Sequence, residues 1–370
     1  MKRKICFFNS GAVHYRMAIY KLLDQRMGVE FYFGDNRKGG NKGIDYTSLE
    51  HFKGLLHNIY IGPLYWQRGA LSLLRKYSII FTTGDTYAIS TWVVLLLAKL
   101  LRKPVFLWTI GAMGDEKWFE RLVIRFKAAL VTGTLVYGQR AKDYMVKYGA
   151  NPKKIDLVYN SLDYERQIEV RKDIRPSSVF RDHFNNDNPN LVFIGRLAIR
   201  RKLDMLVNAA AILRNRGKEV NVTFIGAGPA LDLIKRTTDE TAMTERVWLY
   251  GPLYDEARIA EFLYNADLVV SPGGMGLAVM HAFTFGCPVI THDNFSNLGP
   301  ECEAIVPGET GLLFRENDTD DLARAIEEWL DEHKDRDAVR KQCYQIIERD
   351  WTPERQYQII HDFILGKNEE

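Results

Sequence analysis

The chain has 370 residues, 46% of them apolar and 26% charged, which fits about two folded domains and excludes disorder and fibrous repeats. Its net charge of +3 hides an asymmetry: residues 1–150 hold 23 Lys and Arg against 10 Asp and Glu, and the remainder 27 against 37. The basic half, with Lys2, Arg3, Lys4, Arg102, Lys103, Arg121, Arg125 and Lys127 among its cations, calls for an anionic partner: a membrane face, a phosphorylated acceptor or nucleic acid.

Met1 to Lys4 resembles the basic start of an export signal. The apolar run that follows, Ile5–Phe8, ends at Asn9, short of the roughly 7–15 residues such a signal needs. A cytoplasmic location is therefore expected. The longest apolar stretch, Trp92–Leu101, is interrupted by Lys99 and is too short for the ~20 residues of a spanning helix; it reads as a buried helix. Cys6, Cys287, Cys302 and Cys343 form no C-x-x-C pair, so free buried thiols and no metal site are expected.

Strands are predicted at residues 4–8, 29–33, 78–82, 105–108 and 134–137, with helices at 14–26, 89–101 and 140–148. Gly and Asn clusters punctuate them, Gly34-Asp35-Asn36 among these. Strands alternating with helices imply parallel βαβ units. Residues 169–190 are polar and rich in turn formers, ending in Asn185-Asn186-Asp187-Asn188-Pro189, and read as a linker. A second βαβ series follows from residue 191 to 348, and residues 349–370 are expected to form a helix packing back on the first domain, 1–168. The predicted fold class is α/β: two Rossmann-like, doubly wound parallel-sheet domains with a ligand cleft between them.

Three motifs carry chemistry. Gly195-Arg196-Leu197, then Arg200-Arg201-Lys202, follows a predicted strand. Cations at a strand's carboxyl end suit a diphosphate, Arg as a bidentate donor and Lys as a point charge. Gly226-x-Gly228 also ends a strand, but Leu231 stands where a dinucleotide fingerprint needs its third glycine, so a tight turn is favoured over an NAD site. In Ser271-Pro272-Gly273-Gly274-Met275-Gly276-Leu277, glycines open a helix whose amides suit an anion. His281 lies on that helix; such a histidine is more often a core residue, and the glycine loop raises its odds as a ligand contact.

As an ordered set these segments resemble the retaining GT-B glycosyltransferases of family 4. Val192–Leu197 with Lys202-Leu203-Asp204 is similar to their G-R-L…K motif. Phe224–Pro229 is similar to their central G-x-G-P turn, and Pro300-Glu301 with Gly308–Phe314 to their closing P-E…G-x-T-G-L-L segment. The likeness is looser in residues 1–165. It implies a transferase moving a hexose from a nucleoside-diphosphate sugar, UDP or GDP, to a glycan or lipid-linked acceptor in cell-surface polysaccharide synthesis. Anomeric retention and no metal cofactor are implied too. Gly195, Arg196, Arg201 and Lys202 would meet the diphosphate, and Gly226 would lie beside it. The amides around Gly274, Met275, Gly276 and Leu277 would cap the distal phosphate, Gly251-Pro252-Leu253 would pass the base, and His281 would reach the ribose.

Two departures stand out. The family's pair of glutamates falls at Gly273 and His281, and a histidine often found in relatives falls at Ile110. Proton handling then passes to Asp85, Asp115, Glu116 or His14. Gly11, His14 and Arg16, after the first strand, are candidates for the acceptor. A peripheral position at the inner face of the plasma membrane suits the basic half. The alternative is a non-catalytic scaffold that binds a sugar nucleotide beside another transferase. A sugar-nucleotide 2-epimerase shares the architecture, but the G-R-L…K set argues against it. Nucleic acid is not expected, since no recognised binding module is present.

Overall fold

The computed structural model describes residues 4–35 and 45–366; Lys2, Arg3 and Asn36 lie outside the described residues. The chain divides into two units, residues 1–163 with 352–370 and residues 164–351.

The first unit comprises β1 (Ile5–Asn9), α1 (Met17–Met27), β2 (Glu30–Gly34), β3 (Phe52–Ile61), β4 (Leu64–Arg68), α2 (Ala70–Lys76), β5 (Ile79–Thr82), α3 (Ile89–Leu100), β6 (Val105–Thr109), α4 (Trp118–Leu130), β7 (Gly133–Val136), α5 (Gln139–Lys147) and β8 (Ile155–Leu157). Its sheet runs β4-β3-β2-β1-β5-β6-β7-β8. The β3–β4 ribbon is antiparallel and the pairs flanking β1 are parallel. The β1 strand is buried along its whole length, as expected of a parallel strand covered on both faces. One side of the sheet is filled by Phe7, Tyr20, Phe31, Phe33, Phe81 and Trp108, with Phe81 and Trp108 stacked at 5.8 Å. Each such ring removes roughly 150–250 Å² from water. The Trp92–Leu101 stretch is helical, yet Leu96, Leu97, Leu100 and Leu101 are exposed. It is therefore not a buried helix: one face, with Val94, Leu95 and Ala98, packs on the sheet and the other meets solvent.

The second unit comprises α6 (Tyr164–Asp173), α7 (Val179–Phe184), β9 (Asn190–Ile194), α8 (Leu203–Asn215), β10 (Asn221–Ile225), α9 (Leu231–Glu240), β11 (Val247–Gly251), α10 (Glu256–Asn265), β12 (Leu268–Ser271), α11 (Ala278–Thr284), β13 (Val289–His292), β14 (Gly311–Phe314), α12 (Thr319–Glu332) and α13 (Arg336–Asp350). Its six parallel strands run β11-β10-β9-β12-β13-β14. The stretch predicted as linker belongs to this unit. Val179, Phe180 and Phe184 are buried, and Phe180 meets Phe262 of α10 edge-on at 5.6 Å. Those three apolar residues outweigh the turn formers around them, so the segment folds instead of spanning.

The helix α14 (Pro353–Gly366) returns to the first unit. Ile360, Phe363 and Ile364 share a core with Phe106. A Cβ on Gly133 would stand 2.5 Å from the Phe363 ring, so β7 needs glycine there. All four cysteines are free and buried. Among the described residues no helix is long and apolar enough to cross a membrane.

Candidate functional site

In the second unit the strand order reverses between β9 and β12, since β9 leads outward to β10 and β11 while β12 leads to β13 and β14. Ligands of doubly wound sheets bind outside the carboxyl ends of strands at such a point. The loops leaving β9 and β12 are the two that carry the predicted phosphate residues.

The β9 loop is locked first. The Gly195 N–H donates to the Ile225 carbonyl (2.9 Å), Leu197 N–H to the Ala227 carbonyl (3.0 Å), and Gly226 N–H to the Gly251 carbonyl (2.8 Å). The loops approach so closely that a Cβ on Gly226 would lie 1.8 Å from the Gly195 oxygen, and one on Gly228 2.4 Å from the Leu197 oxygen. Both glycines also have positive φ. The Gly226-x-Gly228 pair is thus the spacing device of the loop bundle, and Gly226 faces protein backbone. Arg196 is left exposed on its surface. Gly251 has open space around it, with Pro252 exposed beside it and Leu253 half-buried.

Arg201 plays a different part. Its guanidinium donates to the Gly274 carbonyl, which also accepts from the Ser271 hydroxyl at 2.9 Å. Burial, then the charge of Arg200, holds its pKa below the ordinary value. The same approach explains Gly273: a Cβ there would stand 2.3 Å from the Arg200 oxygen and 2.4 Å from the Arg201 carbonyl carbon. No side chain, glutamate included, fits without moving that backbone. Met275 is buried and its carbonyl accepts from Gly299 N–H at 2.6 Å. Leu277 caps α11 without a side-chain bond. The buried Glu301 carboxylate lies 3.6 Å from where a Cβ on Gly276 would stand.

Lys202 adopts a positive φ of 51° and caps α8. Its ammonium binds the Asn317 side chain and lies 3.7 Å from Glu316. Glu316 accepts from Asn294 (2.7 Å) and Asn297 (2.9 Å), and the Asn294 bond is the main reason its carboxyl stays below the ordinary range. His292 is buried beside them; its Nδ1 accepts from the Asn294 N–H at 3.2 Å, and burial lowers its pKa. Its Nε2 has no hydrogen-bond partner among the described residues. Nothing in the local sequence marks Glu316, Asn294 or Asn297, because Glu316 meets Lys202, and the two asparagines meet Glu316, only in the folded unit where β13 pairs with β14.

His281 is neither a core residue nor free. Its Nε2 lies 2.9 Å from Glu256 Oε1, which also accepts from Gln167 Nε2 at 3.0 Å. Burial would raise the Glu256 pKa; the bonds and charge of His281, with Gln167, outweigh it and hold the carboxyl below its ordinary value. Glu256 opens α10 directly after the Gly251 loop, a link that spacing alone does not reveal.

The first unit reverses its strand order between β1 and β5, and Gly11, His14, Arg16 and Asp85 follow those strands. His14 is exposed, whereas Gly11 and Arg16 are buried. The Arg16 guanidinium lies 4.7 Å over the Trp108 ring and donates to the Tyr137 hydroxyl. Burial opposes its charge, but Tyr137, Tyr20 and Tyr15 overcome that and raise its pKa. Asp85 is committed on both oxygens, to the Tyr65 hydroxyl (2.7 Å) and the Tyr87 N–H (2.9 Å). Glu116 is committed likewise, its Oε1 to the Met113 N–H (2.5 Å) and its Oε2 to the Gly114 N–H (2.9 Å) and the Tyr148 hydroxyl (2.7 Å); Asp115 is exposed. A cavity of about 420 Å³ lies among Thr109, Ile110, Gly111, Phe119, Val123 and Lys127. Burial pushes the Lys127 ammonium down to about 8, against the charge of Asp85.

Residues 175–346 match the family of glycosyl transferases group 1. Among curated relatives, the chain is 27% identical over 222 residues to an alpha-D-kanosaminyltransferase of Streptomyces kanamyceticus, covering 58% of this chain and 54% of that protein. It is 30% identical over 232 residues to a D-inositol 3-phosphate glycosyltransferase of Nocardia farcinica, covering 60% and 48%. The chain spans about half the length of the curated relatives it matches. A crystal structure of Anabaena Alr3699/HepE in complex with UDP is similar in fold, with a TM-score of 0.72 at 16% identity, covering 98% of this chain and 100% of that one.

Proposed function

We propose, from the match of residues 175–346 to the glycosyl transferases group 1 family, that the chain transfers a hexose from a nucleoside-diphosphate sugar, UDP or GDP, to a glycan or lipid-linked acceptor with retention at the anomeric carbon. Synthesis of cell-surface polysaccharide at the inner face of the plasma membrane is the setting this reading favours. The observation that carries it is the pair of loops at the β9–β12 switch point, one bearing exposed Arg196 and the other bound by Arg201 at the Gly274 carbonyl.

In this reading Arg196 and Lys202 take the charge of the departing diphosphate, which is worth most where water is excluded. Arg201 sets the glycine loop so that the Gly276 and Leu277 amides meet the distal phosphate. Gly251, Pro252 and Leu253 pass the base, and His281, oriented by Glu256, meets a ribose hydroxyl. His14 is the candidate for proton handling in the first unit, because Asp85 and Glu116 are already engaged. The scaffold alternative is favoured by one observation, the loss of both glutamates at Gly273 and His281.

The test is release of nucleoside diphosphate from a panel of UDP- and GDP-sugars, with donor binding measured by calorimetry. Arg196→Ala is expected to cut turnover by roughly 10²–10³, as for removal of one charge-stabilising donor. Turnover equal to wild type in that variant refutes the phosphate role. Binding of one donor without release, over a broad acceptor panel, turns the reading to the scaffold.

A further inference from the structure

We propose that the α3–α4 face of the first unit is a docking surface for an anionic lipid bilayer. On α4, Trp118, Leu122 and Phe126 recur every four residues and so share one face; they are 72%, 53% and 52% exposed. On α3, Leu96 and Leu100 repeat the spacing, with Leu100 78% exposed. The two strips are continuous, because Trp92 of α3 stacks on Phe126 of α4 at 6.2 Å. Large apolar side chains aligned on two neighbouring helices and left in water mark an interaction site.

The charge around the strip names the occupant. Arg121 and Arg125 run beside it on α4, and Lys99 and Arg102 flank it on α3; all four are exposed and have no carboxylate partner among the described residues. Arg121 is counted because it stays exposed although its Nε donates to the Glu116 carbonyl at 2.8 Å; Lys103 is not, because it is half-buried with its ammonium on the Leu74 and Tyr77 carbonyls. Glu120 is the acid within α4, and its carboxylate closes the start of the helix on the Lys117 N–H at 2.7 Å. A helix face of Trp, Phe and Leu edged by Arg and Lys lies in the headgroup region of a membrane, rings in the acyl boundary and cations at anionic headgroups. The surplus of 13 positive charges in residues 1–150, 23 against 10, acts in the same direction.

The surface rests on the acceptor reading above only in its setting, and it is measured without turnover. The whole chain is sedimented with vesicles of phosphatidylcholine alone, or of phosphatidylcholine mixed with phosphatidylglycerol. Binding to the mixed vesicles and not to the neutral ones is expected, weakening as salt is raised. Each cation near an anionic surface contributes ~1 kcal/mol, or about five-fold, so Arg121→Ser with Arg125→Ser should weaken binding by roughly 25-fold. Trp118→Ser keeps the charge and should weaken it by about ten-fold. Circular dichroism checks that each variant is folded. Absent or composition-blind vesicle binding, or folded variants that bind as wild type, overturns the proposal. So does a dimer that Trp118→Ser dissociates without any vesicle binding, which would give the face to a second copy. None of these outcomes bears on donor release.

Discussion

Arg196 and Arg201 are five positions apart in one basic cluster, yet their surroundings predict opposite behaviour on removal. Arg201 is half-buried and donates to the Gly274 carbonyl. A hydrogen bond with one charged partner contributes ~1.5–3 kcal/mol. The Ser271 hydroxyl still holds the same carbonyl after Arg201→Ala, so the lower figure applies, about 1.5 kcal/mol. In a domain of this size that lowers the melting midpoint by roughly 3–6 °C. Arg196 is exposed, and Arg196→Ala should change stability by less than ~0.5 kcal/mol. The assay pairs urea unfolding with donor calorimetry on both variants. Arg196→Ala should lose donor affinity at constant midpoint, while Arg201→Ala should lose stability, with affinity falling as its loop loosens. An Arg201→Ala protein as stable as wild type, with a tenfold loss of affinity, would refute the division of labour and make Arg201 a direct ligand residue.

Two further outcomes follow from the same unit. Gly273→Ala should destabilise by ~1–3 kcal/mol, because its Cβ would press on the Arg200 and Arg201 backbone, and Gly273→Glu should not raise turnover; a stable, more active Gly273→Glu protein contradicts the packing argument. Glu256 has a folded pKa below the ordinary 4.5, so its contribution is full above 4.5 and is lost as pH falls through the lower folded value. The stability gap between wild type and Glu256→Gln, from urea midpoints between about pH 6 and pH 3, should therefore close on acidification; a gap independent of pH would show that the carboxylate is not the stabilising group.

The parallel sheets were legible because their strands are short apolar runs ended by Gly, Asn or Pro, as at Phe193-Ile194-Gly195 and Phe224-Ile225-Gly226. The β3–β4 ribbon was not, since β3 alternates exposed and buried residues next to Gly54 and Gly62, and its polar face reads as loop. The phosphate candidates were legible as cations after strands. Their division was not: the sequence treats Arg196, Arg201 and Lys202 alike, whereas tertiary contacts engage the last two with Gly274 and Asn317. Glu256 and Glu316 were missed because each acts on a residue 25 or more positions away, a separation no local pattern records.

The helix α14 has a consequence for the order of synthesis. The first sheet emerges from the ribosome with its eight strands, but the core that holds Phe106 and Gly133 lacks Phe363 until residues 164–351 have also been made. At roughly 5–20 residues per second that interval is about 10–40 s. The unit that begins first is the one completed last, and until then Gly133 and Phe106 lack the Phe363 ring that packs on them.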